Sequence, residues 1–372
     1  MPQDQTAAAA RTRLLAAGIV SFVLMGAGQA LYGPALPGYE KLLQINTAAA
    51  GRIVSAFWVG CFLGVLGLYF SGRRGTPRAG LCGLAIGAAL LSMAASWVPV
   101  IAGSVAFGAG YGLLTAVFNP RVLALFGSRG ASMLSLLNAT FSIGAIAAPQ
   151  VFIALDEDSR LAFGLVAALA ALLWLAVGPA TRLQAERTAP SAGFRLSWPI
   201  LLFGCVAIGM EASFVGLGPT ALIGAGLSER TAANLLSLFF VAFFSGRVAL
   251  VFFAHLVPSF AIYTGAVALV GLCSLGVATG PAIWFFPPLG LATGLFFPAC
   301  YVTATALMGT DARVAPLIIG ACLVGAILSP LLYAQVIAEL GPRGFFWLIA
   351  AVAGILTLAA LALFRRMQAG GL

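Results

Sequence analysis

Long apolar runs alternate with short polar connections along nearly the whole chain. Their bounds are 13–37, 47–70, 78–96, 98–126, 131–155, 160–181, 198–222, 231–254, 259–279, 282–308, 313–338 and 344–364. Each is close to the roughly 20 residues that a helix needs to cross a bilayer. The pattern predicts twelve transmembrane helices. The polar start, MPQDQTAAAARTR, reads as a segment ahead of an uncleaved first helix. The longest polar stretch, RLQAERTAPSAGFR from Arg182 to Arg195, divides the runs into six and six. The expected organisation is a six-helix bundle over 1–181, a linker over 182–197 and a second bundle over 198–372.

The two halves repeat. GAIAAP at Gly144–Pro149 returns as GAILSP at Gly325–Pro330, 181 residues later. SAFWVGCFLG at Ser55–Gly64 returns as SLFFVAFFSG at Ser237–Gly246, at an offset of 182. FNP at Phe118–Pro120 returns as FFP at Phe296–Pro298, at 178. Three matches at nearly one offset mark a duplication. The offset spans an even number of helices, so the repeats share one topology. Parallel six-helix repeats are one known transporter arrangement.

Composition removes the soluble alternative. Of 372 residues, 62% are hydrophobic and 8% charged, too little polar surface to cover a soluble globule. The net charge of +9 has no basic tract with interleaved aromatics, so nucleic acid is set aside. The basic residues instead set orientation. With the N-terminus inside, thirteen arginines fall in cytoplasmic segments and four basic residues in outer ones. Both termini are then cytoplasmic, in a bacterial inner membrane beside anionic lipid. The six cysteines lie in apolar stretches without a C-x-x-C pair, and His255 is the only histidine. Neither a metal site nor a catalytic triad follows.

GAGQALYGPALP at Gly26–Pro37, GAGYGLLTAVFN at Gly108–Asn119, LLNATFSIGAIAAP at Leu136–Pro149, GMEASFVGLGPTAL at Gly209–Leu222 and FFSGR at Phe243–Arg247 occur in order along the chain. Together they resemble the major facilitator superfamily, and within it the fucose-permease-like branch of sugar transporters. The resemblance implies two pseudo-symmetric six-helix bundles that carry a solute by alternating access, without a cofactor. The chain also departs from the pattern. The loop after the second helix has Ser71 and Gly72 where an acid usually precedes the basic cluster, and HLVPS after the eighth helix lacks the basic copy. Thr115 stands where an acid is usual, and Ala139 where a histidine often follows Leu-Asn.

Ten acids occur, and Glu211 alone lies deep in an apolar run. A charged acid at mid-helix costs about 2.5–3.5 kcal/mol on insertion scales. Such a group suits proton coupling or acceptance of hydrogen bonds from a solute. It can also serve structure alone, as a protonated acid bonded to a neighbouring helix. Arg247 is the deep cation, expected roughly 9 Å below Glu211 in height. It either pairs with Glu211 as a coupling switch or snorkels to the inner interface. For solute recognition, Gln29, Tyr32, Asn138, Phe141, Phe214 and Tyr301 offer hydrogen-bonding groups or flat faces, and Glu211 belongs with them. The polar ones can equally bond between helices. Arg52 either snorkels or closes an outer gate. Arg73, Arg74 and Arg78 are expected to hold an inner gate through helix C-termini and lipid phosphates.

The expected function is proton-coupled uptake of a sugar or similar small polar metabolite by a monomer. The alternative is export of an amphipathic compound or drug, supported by 27 phenylalanines and few polar residues. The chain carries no ATP-binding loop, HExxH or GxSxG, so an enzyme is not expected. A single cysteine introduced at Gly193 should react with membrane-impermeant maleimide only from the cytoplasmic side. Labelling from outside would overturn the topology.

Overall fold

The computed structural model describes residues 2–70, 76–126, 130–177, 194–253, 256–309 and 314–368. All the regular structure in them is helical. The helices are α1 (Pro2–Leu43), α2 (Thr47–Phe70), α3 (Pro77–Ser92), α4 (Trp97–Leu125), α5 (Gly130–Ala154), α6 (Ser159–Ala176), α7 (Trp198–Gly224), α8 (Glu229–Phe253), α9 (Ser259–Thr279), α10 (Ala282–Met308), α11 (Val314–Leu340), α12 (Pro342–Ala362) and the short α13 (Phe364–Gln368). Among the described residues, eleven are long and apolar enough to cross a membrane, and α3 is a shorter apolar helix.

Local chemistry sets the boundaries. Asn46 Oδ1 accepts from Ala49 N at 2.9 Å before α2, and Asp158 Oδ1 accepts from Arg160 N at 2.7 Å before α6. Both satisfy donors that a helix start leaves orphaned. Thr76 caps α3, with Pro77 in its first turn. Gly309 and Gly341, at φ 91° and 78°, turn the chain after α10 and α11.

Three helices differ from the sequence expectation, the sixth ending at Ala176 and not near 181. The first helix is not confined to 13–37. It begins at Pro2, where a run of alanines favours helix, and continues through Pro34 and Pro37 to Leu43. The third ends at Ser92 rather than near residue 96, because Ser96 already stands at the N-cap position of α4.

The chain forms two compact units, one of Met1–Gln44 and Ala56–Thr188, the other of Ile45–Ser55 and Ala189–Leu372. In the first, α1 packs on α5 and α3 on both α4 and α6. In the second, α7 packs on α11 and α9 on both α10 and α12. The scheme is the same in each. The opening of α2 belongs to the second unit, where Ser55 Oγ donates to Ile327 O of α11 at 2.8 Å and Val54 covers Gly216 of α7.

The repeat extends to individual contacts. Gly108 of α4 lies against the carbonyl of Phe57 in α2, leaving no room for a Cβ. Gly290 of α10 lies the same way on the carbonyl of Phe239 in α8, 182 residues on. Gly112 on Cys61 and Gly294 on Phe243 repeat at the same offset, as the next turn of the same two contacts. Gly144 on Val23 and Gly325 on Cys205 join α5 to α1 and α11 to α7. Helices in lipid gain little from hydrophobic exclusion, so such close approaches carry the packing.

A branched side chain at Gly290 should therefore be costly. Gly290→Val is expected to destabilise by at least about 1–3 kcal/mol through overpacking. Gly354→Ala, where nothing lies within 4 Å, should be neutral or slightly stabilising, since alanine favours helix. Thermal unfolding in detergent compares them. Equal midpoints for the two variants would refute the contact.

Candidate functional site

Glu211 stands in the middle of α7, a helix buried along most of its length. The residue is half-buried, but its Oε2 is fully enclosed and has no hydrogen-bond partner. Charge reaches it from Arg247 of α8. Cys322 of α11 is also close enough to interact. The Arg247 guanidinium lies 4.4 Å from the centre of the Phe243 ring, one turn back on its own helix. An aromatic face is a favourable seat for a cation out of water. Within the second unit the structure thus places the deep acid in the field of the deep cation. Among the described residues no group of three His, Cys, Asp or Glu side chains is placed to hold a metal ion.

Gln29 occupies the matching position of the first unit, 182 residues before Glu211. It is 8% exposed, and its Oε1 is also enclosed without a hydrogen-bond partner. Gly26 precedes it on α1 against the carbonyl of Phe141 in α5. Gly209 precedes Glu211 against the carbonyl of Gly325 in α11, at 3.0 Å from the position of a Cβ. One helix pairing therefore holds each group in its own unit.

The remaining candidates divide into enclosed and open ones. The Tyr32 ring is boxed by Phe57 at 5.2 Å, Phe163 at 5.5 Å and Phe107 at 6.3 Å. Its hydroxyl is enclosed close to that of Ser104. Phe214 is fully buried, with its ring between Phe345 at 6.0 Å and Phe239 at 6.5 Å, so it faces the packed interior of the second unit. Asn138 and Phe141 of α5 are half-buried. Tyr301 of α10 is half-buried too, with its ring 5.6 Å from Phe297.

Sequence reasoning missed Trp58 and Tyr111. Both are half-buried, and their ring centres are 6.4 Å apart. Tyr111 continues to Phe141 at 6.2 Å. The available signal was the Trp inside SAFWVG and the Tyr inside GAGYG, each one residue from a glycine-packed turn. It was read as repeat and packing alone.

The proposed gating residues separate. Arg52 is exposed, on the part of α2 that belongs to the second unit. Arg73 and Arg74 lie outside the described residues. Arg78 is half-buried, its Nε donates to the Val177 carbonyl beyond α6, and its guanidinium lies 5.3 Å from the Trp174 ring centre. It ties the start of α3 to the end of α6 inside one unit, satisfying a helix-end carbonyl with a cation.

With this geometry in hand, the architecture can be compared with solved structures. The nucleoside transporter NupG, in a mutant form, superposes with a TM-score of 0.76 at 15% identity, covering 95% of this chain and 100% of that one. The D-xylose-proton symporter superposes at 0.74 and 15% identity, covering 94% and 96%. A bacterial homolog of the human lysosomal transporter Spinster, inward-facing and occupied, superposes at 0.73 and 14%, covering 97% of each. No family model matches the chain, and no curated protein matches it. The chain shares the all-helical, multi-pass membrane fold of these transporters.

Arg78→Gln keeps hydrogen-bonding capacity but loses the charge. It should lower stability by about 1 kcal/mol, the scale of a half-exposed charge-assisted bond. The reading is the thermal midpoint of the purified protein. An unchanged midpoint would show that the contact with Val177 holds nothing.

Proposed function

We propose that this chain is a secondary transporter working by alternating access, coupling proton movement to uptake of a sugar or similar small polar metabolite. The observation that carries the reading is Glu211, a carboxyl in mid-helix with one oxygen enclosed and unbonded. Its placement near Arg247 gives the proton a charge partner, so that gain and loss of the proton alter the pull between α7 and α8. In the first unit Gln29 and Asn138 supply amides and Phe141 supplies ring surface, with the enclosed Tyr32 as part of the support. Tyr301 lines the second unit, and Phe214 backs Glu211's helix from the core. The nucleoside transporter and the D-xylose-proton symporter of the same fold make a polar solute the natural cargo.

The two six-helix units, 1–181 and 198–372 joined by a cytoplasmic 182–197 segment, supply the moving parts. Arg52 on the outer side and Arg73, Arg74 and Arg78 on the inner side act at the two mouths. The protein works as a monomer in a bacterial inner membrane with both termini in the cytoplasm. It performs no covalent chemistry and needs no cofactor. A second reading, export of an amphipathic compound, draws on the part-exposed aromatic surface of Trp58, Tyr111 and Phe141.

Glu211→Gln separates coupling from binding, because the amide keeps size and hydrogen bonds but cannot titrate. A carrier stores gradient energy only if proton occupancy differs between its two states. Proteoliposomes should first be screened against neutral monosaccharides for counterflow. The variant should then exchange labelled for unlabelled sugar but fail to accumulate it under an imposed pH gradient. Accumulation by the variant would remove Glu211 from the coupling role. Loss of exchange in a folded variant would make it a binding residue instead.

A further inference from the structure

Six cysteines run through the chain, and three of them come together in the second unit. Cys205 belongs to α7, Cys300 to α10 and Cys322 to α11. Cys322 interacts with both of the others and with Glu211. None of the three thiols is needed for proton coupling.

Gly204 of α7 brings two of these sulfurs to one place. The point where a Cβ would stand on it is 3.1 Å from Cys300 Sγ and 3.3 Å from Cys322 Sγ. Among the described residues nothing else comes within 4 Å of that point, beyond the glycine's chain neighbours and its own helix backbone. Two helices thus present one sulfur each to a gap that a third helix does not fill. Both thiols are buried, at 2% and 5% exposure. Cys300 donates to the Ile200 carbonyl at 3.7 Å, one turn before Gly204. The helix pattern gives that carbonyl a second donor, the Gly204 N–H. Loss of the thiol proton would therefore not orphan it. Tyr263 interacts with both thiols and is itself fixed, its hydroxyl donating to Phe203 O at 2.7 Å. One turn on from Cys322, Gly325 sits on the Cys205 carbonyl and locks α11 to α7.

Chemistry narrows what such a pair can hold. Calcium and magnesium want oxygen ligands. Zinc takes four ligands in a closed site, and here there are two. Thiolates select soft ions. Burial then decides the charge. Two thiolates on a monovalent ion carry a net negative charge, here in the range of the Glu211 carboxyl, and a buried charge is costly. Two thiolates on a divalent ion are neutral. The ion that is soft, divalent and content with two ligands is Hg(II). Binding replaces two S–H bonds with two S–Hg bonds and releases two protons to water. No electron is transferred.

We propose that Cys300 and Cys322, over the notch of Gly204, form a two-coordinate site for a soft divalent ion of the Hg(II) class. The bound ion ties α10 to α11 over α7, the helix that carries Glu211. The site does not depend on the transporter reading, and its test needs no transported solute.

Mercuric chloride alone, added to the purified full-length protein in detergent, supplies the test. A lone thiol surrenders mercury to excess monothiol, whereas a chelating pair holds it. After such a wash, wild type and Cys273→Ser should each retain one equivalent of mercury, read by elemental mass spectrometry. Cys300→Ser and Cys322→Ser should each retain at least tenfold less. Gly204→Ala keeps both thiols but sets a methyl group between them, and should lose the ion as well. One equivalent retained by folded Cys300→Ser or Cys322→Ser overturns the site. Full retention in Gly204→Ala puts the ion elsewhere and overturns it equally. Should the variants fail to fold, mercury-edge X-ray absorption of wild type loaded with one equivalent, before any monothiol is added, decides. Two sulfur neighbours uphold the pair, and one sulfur beside chloride or oxygen overturns it.

Discussion

The contact on which this molecule depends is backbone against backbone. Lipid tails are as apolar as leucine, so nothing expels these helices from lipid toward one another. What remains is dispersion, which rewards only atoms at close range. Gly108 and Gly112 bring α4 onto the carbonyls of Phe57 and Cys61 in α2, and Gly290 and Gly294 do the same for α10 on α8. Once those carbonyls are seated, neighbouring side chains have little choice of partner. In the first unit Phe57, Trp58 and Tyr111 meet. In the second, Phe239, Phe240 and Phe243 form one cluster, with Phe239 and Phe243 stacked at 22°, and Arg247 rests on its last ring. One packing device thus positions an aromatic wall in one half and a cation in the other.

The duplicated frame makes the differences between the halves informative. At an offset of 182, Gln29 corresponds to Glu211, Val65 to Arg247 and Tyr111 to Thr293. Ionisable groups entered the second copy at two positions where the first keeps an amide and a valine. One ring, Tyr111, stands in the first copy where the second keeps a hydroxyl, Thr293. A single site holding the ring and the ionising groups together would set charge against an apolar face, where it is costly.

Much of the fold was legible because bilayer crossing is a constraint of length and composition. Ten of the predicted runs match long helices to within about five residues at each end. The repeat was legible because glycine tolerates no replacement at a backbone contact, so its spacing persisted in both copies. Glu211 was legible because a lone acid in an apolar run has few explanations. Other features depend on direction around a helix, which an apolar run does not encode. Phe214 and Phe141 look alike in sequence, yet one is fully buried and the other half-buried. Trp58 follows Phe57 directly, and only the seat of Phe57 on Gly108 shows which ring is hidden. The bond from Arg78 to Val177 joins residues 99 apart, and no charge pattern points to a carbonyl.

The enclosed oxygens of Gln29 and Glu211 bring these lines together. A buried polar atom without a partner costs about 1–3 kcal/mol, and folded proteins leave few. Asn119, Ser142, Thr220 and Ser274 also have unpartnered oxygens. A helix hydroxyl has a remedy at hand, since it can rotate toward the carbonyl four residues back. An amide or carboxyl held in mid-helix among apolar neighbours has no such local acceptor or donor. One instance would pass as imperfect packing. Gln29 and Glu211 stand at the same place in the duplicated frame. The first copy presents an acceptor that cannot titrate, and the second presents one that can.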